Sequence, residues 1–290
     1  METIRTVEWM KQATRQARAD GRLVGFVPTM GALHAGHVSL VRAAQSVCSP
    51  VVVSIFVNPA QFGPGEDFAA YPRRREADVA VLESLGIEYL FTPEAAEMYP
   101  PGFSSHVEVE GISSRLEGRA RPGHFRGVAT VVLKLLEIVQ PWRAYFGRKD
   151  AQQARLVQQL VRDFHLDAEI EVCPIVREPD GLALSSRNAY LSAEDRRAAT
   201  VLFRALSAAQ EAVTRGQRAP NDLVAAMRKV LAQEPRAAAD YVEVARADTF
   251  EPAAQLRGTC YALLAVFLGT TRLLDNLLIE EQNGEFRCTL

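Results

Sequence analysis

Residues 51–57 read VVVSIFV, and this unbroken apolar, β-branched run constrains the fold more than any other stretch of the 290-residue chain. A strand with one wet face alternates apolar and polar side chains. A strand that does not alternate is apolar on both faces and must be covered on both. The neighbouring segments supply the covers. The pattern predicts a strand over 23–27, stopped by Pro28, and then a helix from His37 onward, where Val38, Leu40, Val41 and Ala44 keep helical spacing. Residues 76–85 read as helix and 87–91 as a short strand. Residues 128–139 (VATVVLKLLEIV) form a strongly apolar helix and 144–147 a short strand; an amphipathic helix over 151–164 and a strand over 168–176 follow. Alternation of this kind predicts a parallel sheet with helices on both faces.

The pattern changes near residue 177. A long helix is expected over 192–215, with Ser192 as N-cap and Asp195 three residues on as a weak capping box. A second helix is expected over 220–233, then strands at 241–245 and 261–268, with 272–279 a third. Strands that follow helices without alternation read as α+β. The expected class is therefore α/β, a Rossmann-like parallel sheet over 1–176 followed by a smaller α+β domain over 177–290.

The charge balance excludes some partners. With a formal net charge of −2, no global field draws the chain to nucleic acid or anionic lipid. The N-terminus carries Glu2 and Arg5 and lacks a signal-like apolar core, and no run reaches the ~18 apolar residues of a membrane span. Cys48, Cys173, Cys260 and Cys288 are scattered, with no CxxC pair to suggest zinc or a disulfide framework. Isolated thiols fit a reducing compartment, so a cytoplasmic protein is expected.

Chemistry concentrates in five segments. In the first, Met30-Gly31-Ala32-Leu33-His34-Ala35-Gly36-His37, two histidines three apart close a strand-to-helix turn. Free amides and the helix dipole make such a junction an anion site, and residues three apart share a helix face. Gly36 permits close backbone approach to a phosphate. The second, Asn58 to Phe62, offers the amides of Asn58 and Gln61 to a small polar substrate; alone it reads as an Asn-Pro loop. The third, residues 121–127 (RPGHFRG), either brings basic groups to an anion or is a helix N-terminal loop with solvated arginines. The fourth, Gly147-Arg148-Lys149-Asp150-Ala151-Gln152-Gln153, follows another strand; Lys149 suits a phosphate and Asp150 an N-cap or ribose contact. The fifth, Leu184-Ser185-Ser186-Arg187-Asn188, fits a triphosphate clamp or an ordinary hinge. His34, Asn58, Lys149 and Arg187 all come just after predicted strands, where ligands of such sheets bind.

Taken together, PTMGALHAGH, VSIFVNPAQF, RPGHFRGV, FGRKDAQQ and DGLALSSRNAYLS resemble, in order and spacing, the signatures of the pantoate–β-alanine ligases. HxGH alone would indicate only the wider nucleotidyltransferase group, which includes class I aminoacyl-tRNA synthetases. The resemblance implies ATP-dependent condensation of pantoate with β-alanine to pantothenate, AMP and diphosphate, through an enzyme-bound pantoyl adenylate. It also implies a nucleotide- and pantoate-binding first domain, a C-terminal lid and a homodimer. Residue by residue, it implies that Met30, Gly31, Ala32, Leu33, His34, Ala35, Gly36 and His37 line the ATP site, with His34, His37 and Lys149 catalytic and His37 the proton donor. Gln61 and Gln153 would bind pantoate, Gln61 would later help hold β-alanine, and Asn58 would shape that pocket. Gly147, Arg148, Lys149 and Asp150 would meet the nucleotide, Val176 the adenine through its backbone, and Leu184, Ser185, Ser186 and Arg187 the triphosphate. Mg²⁺ is implied, held mainly by the phosphates of ATP.

Three positions depart from the usual family pattern: Arg148 stands for Glu, Ala151 for an aromatic and Ala60 for Met. An acidic cluster seen in some members is reduced to Glu76 and Asp78, which leaves a protein carboxylate on Mg²⁺ open. Two other readings are weighed. A nucleotidyltransferase that stops at a nucleotidyl product would need no amine. A synthetase-derived RNA- or nucleotide-binding module would carry a basic face with interleaved aromatics, against which the net charge argues.

Overall fold

The structure is a computed structural model describing residues 1–290. The chain runs β1 (Glu2–Ile4), α1 (Val7–Ala19), β2 (Gly25–Thr29), α2 (Ala35–Gln45), β3 (Val51–Ile55), α3 (Arg75–Ser84) and β4 (Tyr89–Phe91). The short helices α4 (Ala95–Met98) and α5 (Glu117–Ala120) precede α6 (His124–Val139), β5 (Arg143–Gly147), α7 (Ala151–Asp163) and β6 (Glu169–Cys173). Two compact units result: Met1–Arg148 with Gln152–Pro174, and Lys149–Ala151 with Ile175–Leu290.

In the first unit six strands pair in the order β1-β4-β3-β2-β5-β6, every pair parallel. The apolar run fulfils its requirement for two covers. Val52 packs in one cluster with Phe26, Phe91 and Phe146 under α1, α6 and α7. Val51 and Val53 pack in another with Val27, Leu90 and Tyr145 under α2 and α3. Successive residues of each strand thus face opposite layers, as the pleat requires.

The segment β4-β3-β2-β5-β6 has the mononucleotide-binding order 3-2-1-4-5, in which chain direction across the sheet reverses between β2 and β5. At that switch point the two strands part early. They share only Gly25↔Arg143 and Phe26↔Ala144, whereas β2 continues along β3 to Thr29↔Ile55. Pro28 therefore does not stop β2, as the sequence led one to expect. It pairs with Ser54, on a stretch where β5 no longer borders the strand, so one side of its backbone carries no ladder and the missing N–H costs little. The parting lies at the carboxyl ends of β2 and β5, the place where ligands of such sheets bind.

The second unit contains a 3-10 turn (Ser186–Tyr190), α8 (Ala193–Ala198), α9 (Val201–Thr214), α10 (Pro220–Leu231), β7 (Ala237–Arg246), β8 (Thr259–Leu268), β9 (Thr271–Gln282) and β10 (Glu285–Thr289). Its four strands are antiparallel in the order β10-β9-β8-β7. Leu202, Leu206, Ala209 and Val213 of α9 pack with Leu223 and Met227 of α10 on Val244, Leu264 and Leu277 of the sheet.

Two expectations need correction here. The single helix over 192–215 is two helices. Leu202 N donates to Ala199 O in an i→i+3 bond, so the ladder tightens by one turn at Ala199–Thr200 although both residues keep right-handed helical torsions. Strand β10 was not anticipated. Its signal was the dipeptide Asn283-Gly284, whose two φ values of 54° and 83° give the hairpin turn favoured between twisted strands. No helix is long and apolar enough to cross a membrane.

Asp275 of β9 is 2% exposed and takes a two-pronged ion pair from Arg177, at 2.6 and 3.0 Å. Arg177 also donates to Gly181 O and lies over the Phe203 ring, so its charge is enclosed from several sides. Removing the carboxylate leaves that guanidinium buried without its counter-charge. Asp275→Ala should lower stability by about 3–5 kcal/mol. Glu211→Ala, which breaks the exposed Arg215–Glu211 pair, should cost under about 1 kcal/mol. Urea unfolding followed by circular dichroism separates the two.

Candidate active site

The turn after β2 is built on a buried carboxylate. Gly31 and Ala32 both hold positive φ, 85° and 51°. For alanine that conformation costs roughly 1–2 kcal/mol. Asp78, in the first turn of α3 and 3% exposed, offsets it by accepting Ala32 N at 2.9 Å on Oδ2 and Leu33 N at 2.7 Å on Oδ1. Hydrogen bonds to a charged acceptor contribute about 1.5–3 kcal/mol each, so the strained turn is the favoured one. Gly31 is required twice over. Its φ is left-handed, and a Cβ there would sit 3.0 Å from Asp78 Oδ2 and 3.1 Å from Ile55 Cγ2. Thr29 Oγ1 closes the start of the turn, donating to Ser54 O and accepting Gly31 N.

The two histidines cap α2 with one nitrogen each. Gly36 N donates to His34 Nδ1 at 3.1 Å, and His34 N donates to His37 Nδ1 at 3.3 Å; the ring centroids lie 4.1 Å apart. A backbone N–H can only donate, so both Nδ1 atoms must accept. Each neutral ring then carries its proton on Nε2. The cap leaves the protein with two Nε2–H donors on one face of a helix N-terminus, at the carboxyl end of the switch-point strand.

The second segment forms a socket for Gln61. Asn58 is 1% exposed, and its amide is oriented by two one-way partners: Ala60 N donates to Oδ1, and Nδ2 donates to Gly127 O. Tyr99 OH also donates to Oδ1, at 2.8 Å, and Nδ2 also donates to Gln61 Oε1, at 3.1 Å. Burial raises the Tyr99 hydroxyl to about 12, so it stays a donor at neutral pH. With both amide protons of Asn58 used inside the protein, this residue orients Gln61 and shapes the socket. Gln61 Oε1 is committed to Asn58, and Nε2 turns toward Met30 Sδ at 3.1 Å, which joins the turns after β2 and β3. The socket depends on close approach by α6, since a Cβ on Gly127 would lie 2.2 Å from Ala60 O.

The third segment splits its two arginines: Arg126 is exposed, as a solvated loop residue would be, whereas Arg121 is held inside the protein. Arg121 pairs with Glu66 through two bonds, at 2.6 and 2.8 Å, and its Nη1 lies 3.1 Å from His124 Nε2. His124 Nδ1 lies 2.8 Å from the Gln61 carbonyl. Burial, and then the neighbouring Arg121 cation, push the imidazole down to about 4, and Arg121 holds Glu66 below its ordinary value against the opposing effect of burial.

The two glutamines after β5 divide their tasks. Gln152 is 4% exposed and bound on both ends, donating to Ile112 O and Arg115 O and accepting Glu117 N. Gln153 is half-buried on the first turn of α7. Gly147 ends β5, and the Arg148 side chain is buried, 8% exposed, rather than presented at the turn.

In the second unit Asn276 Nδ2 donates to Lys149 O at 3.0 Å, and Lys149 Nζ lies 3.8 Å from Asp150. Leu184 N donates to Val176 O at 3.0 Å, so the adenine-binding and triphosphate-binding candidates share one backbone bond. Ser185 Oγ caps the 3-10 turn by accepting Arg187 N. Sequence reasoning missed Tyr99 and Asn276, and it gave no role to His124 and Gln152, which stood in the third and fourth segments. Asp78 was weighed with Glu76 as a metal ligand and not as the anchor of the turn. The structure groups no three His, Cys, Asp or Glu as metal ligands, and each Asp78 oxygen already serves a backbone amide.

Two outcomes test this geometry. Gly127→Ala should destabilise the first unit by ~1–3 kcal/mol through overpacking against Ala60, read as a lower melting temperature. For His124 the folded value of about 4 lies below the ordinary 6.5, so the unfolded chain takes up the proton first. Its contribution is complete above pH 6.5 and is lost as pH falls toward 4. The melting temperature should drop across that window more steeply in the wild type than in His124→Asn.

A family model described as pantoate-beta-alanine ligase matches residues 2–278. A protein of Caldicellulosiruptor saccharolyticus named pantothenate synthetase is 49% identical over 280 residues, covering 97% of this chain and all of its own. One of Chloroflexus aurantiacus with the same name is 56% identical over 268 residues, covering 92% and 95%. The crystal structure of pantothenate synthetase from Thermus thermophilus superposes with a TM-score of 0.91 at 45% identity, covering 96% of this chain and 99% of its own. That of pantoate-beta-alanine ligase from Francisella tularensis, complexed with beta-gamma ATP and beta-alanine, superposes with a TM-score of 0.78 at 36% identity, covering 96% and 97%. With a matching family model across nearly the whole chain and relatives about half identical along their full length, this chain belongs to the pantoate–β-alanine ligase family.

Proposed function

We infer that this protein condenses (R)-pantoate with β-alanine, with cleavage of ATP, giving pantothenate, AMP and diphosphate through an enzyme-bound pantoyl adenylate. The observation that carries the reading is the pair of imidazoles fixed as Nε2–H donors at the N-terminus of α2, at the carboxyl end of the switch-point strand. A carboxylate oxygen of pantoate attacks the α-phosphorus and diphosphate leaves. The amine of β-alanine then attacks the mixed-anhydride carbonyl and AMP leaves with the bonding electrons. Neither step needs a protein nucleophile. The work of the protein is to position the reactants and to stabilise charge on the phosphates.

The proposed roles follow from donor type. His34 and His37 give hydrogen bonds from Nε2–H to phosphate oxygens as charge builds on them; because Nδ1 accepts a backbone N–H, the neutral His37 ring keeps its proton and acts as a hydrogen-bond donor. The turn from Met30 to Gly36 lines the nucleotide. Lys149 and Arg187 supply cations to the phosphates, with Leu184, Ser185 and Ser186 beside Arg187, and Asp150 takes the ribose. Gly147 and Arg148 meet the nucleotide by backbone, since the Arg148 side chain is buried. Val176 reads adenine through its N–H or its second lone pair, because its carbonyl already holds Leu184 N. Gln61 offers Nε2–H to an acceptor oxygen of pantoate, Gln153 binds the same acid, and Asn58 contributes by holding Gln61. Magnesium enters as part of the nucleotide substrate, on its phosphates. The domain assignment follows the sequence boundary, 1–176 for nucleotide and pantoate and 177–290 as the lid. A cytoplasmic homodimer fits the free cysteines and the family, and sedimentation analysis reads the dimer.

The assay supplies ATP, Mg²⁺, pantoate and β-alanine and measures AMP. Release of AMP should require both acids, and omission of β-alanine should leave about one equivalent of adenylate on the enzyme. Multiple turnover without the amine would instead favour a nucleotidyltransferase. His37→Ala and Lys149→Ala should each slow adenylate formation on the order of 10²-fold or more, as loss of a transition-state charge contact does. Near-normal turnover in both would contradict the roles given to them.

A further inference from the structure

Gln61 is held at both ends, and its backbone end is held by a histidine that the reaction itself does not use. His124 is 8% exposed, in the first turn of α6, with its ring between a carbonyl and a guanidinium. Both partners are one-way. The Gln61 carbonyl can only accept, so Nδ1, at 2.8 Å, must carry the proton. The Arg121 guanidinium can only donate, so Nε2, at 3.1 Å, must be bare. No other arrangement satisfies both, which fixes the ring in the Nδ1–H tautomer, the reverse of His34 and His37.

We propose that His124 is a positioning residue for the ligase reaction, acting on the acid substrate through Gln61. Its Nδ1–H pins the backbone of the 3-10 turn (Pro59–Gln61) while Asn58 pins the side-chain oxygen. The two bonds fix which way the Gln61 amide faces, with Oε1 toward Asn58 and one Nε2 proton on Met30 Sδ. The second Nε2 proton is a donor suited to an acceptor such as a carboxylate or hydroxyl oxygen. The Glu66–Arg121 pair keeps the arrangement in register by presenting a donor to Nε2. The charged groups that act on the ring are Arg121, Glu66 and Glu117. Burial and the Arg121 cation outweigh the two carboxylates, so the ring stays neutral through the neutral pH range.

This inference rests on Gln61 binding pantoate. The full-length enzyme is assayed with pantoate and ATP varied separately in wild type, Gln61→Ala, His124→Phe, His124→Asn and the Gln61→Ala/His124→Phe double variant. Asparagine is the conservative replacement because its Nδ2–H reaches where Nδ1–H did. His124→Phe should raise the KM for pantoate about tenfold with less than a twofold change for ATP. His124→Asn should recover most of that loss, and the double variant should be no worse than Gln61→Ala alone. In the wild type, ring ¹⁵N spectra should show a protonated Nδ1 and a bare Nε2, unchanged between pH 5.5 and 8. A raised pantoate KM in Gln61→Ala with none in His124→Phe, additive losses in the double variant, an Nε2–H tautomer, or titration near pH 6.5 would each overturn the role of His124. An unchanged pantoate KM in Gln61→Ala would overturn the substrate role of Gln61, and the inference with it.

Discussion

A buried carboxylate on one helix accepts two backbone amides of a turn that precedes another, and the placing of the two histidines follows from that contact. Asp78 stabilises left-handed backbone at Gly31 and Ala32, which ends β2 abruptly and lets α2 begin at His34. Only with that entry angle do His34 and His37 fall into positions where each Nδ1 takes a backbone N–H. The chemistry of the pair follows from capping geometry: two rings that commit one nitrogen to the helix become donors with the other. An anion-binding helix terminus is thereby supplemented by two directional groups that a bare helix dipole lacks.

The polar residues around Gln61 obey the same logic of one-way partners. Backbone groups cannot exchange donor for acceptor, so each that touches a side-chain amide or imidazole fixes its orientation. Ala60 N and Gly127 O fix Asn58, Asn58 fixes Gln61, and the Gln61 carbonyl with Arg121 fixes His124. The network is buried and nearly every capacity in it is used, which is the condition under which a polar core specifies a geometry instead of weakening the fold. The hydroxyl of Tyr99 and the ring of His124 are held in their un-ionised forms by burial, so neither end of the network changes charge near neutral pH.

How much of this could be read beforehand differs between levels. The parallel sheet was legible because β-branched runs and helical periods alternate, and 51–57 demanded two covers. The helix over 192–215 was misread because Ala199 and Thr200 interrupt the ladder without leaving helical torsions, and no glycine or proline marks the break. At the site, HxGH and NPAQ were visible as residue types in order. The partners of Asp78, Tyr99 and His124 were not: each acts on a residue dozens of positions away, at separations of 45, 41 and 63, and a single sequence carries no trace of such pairings. Gln152 and Gln153 are adjacent and chemically identical, yet one is locked inside and the other lies half-exposed.

The sequence by itself determined the class of fold, the strand ends that carry chemistry, and the donor types collected there, because periodicity and turn residues are local properties. Tertiary structure alone decided which of those side chains are committed within the protein and which remain for a ligand. It also decided the tautomer of each histidine and the direction of each amide. Those choices depend on which one-way backbone group arrives at hydrogen-bonding distance, and that is set by how α3, α6 and the loops between them pack on the sheet.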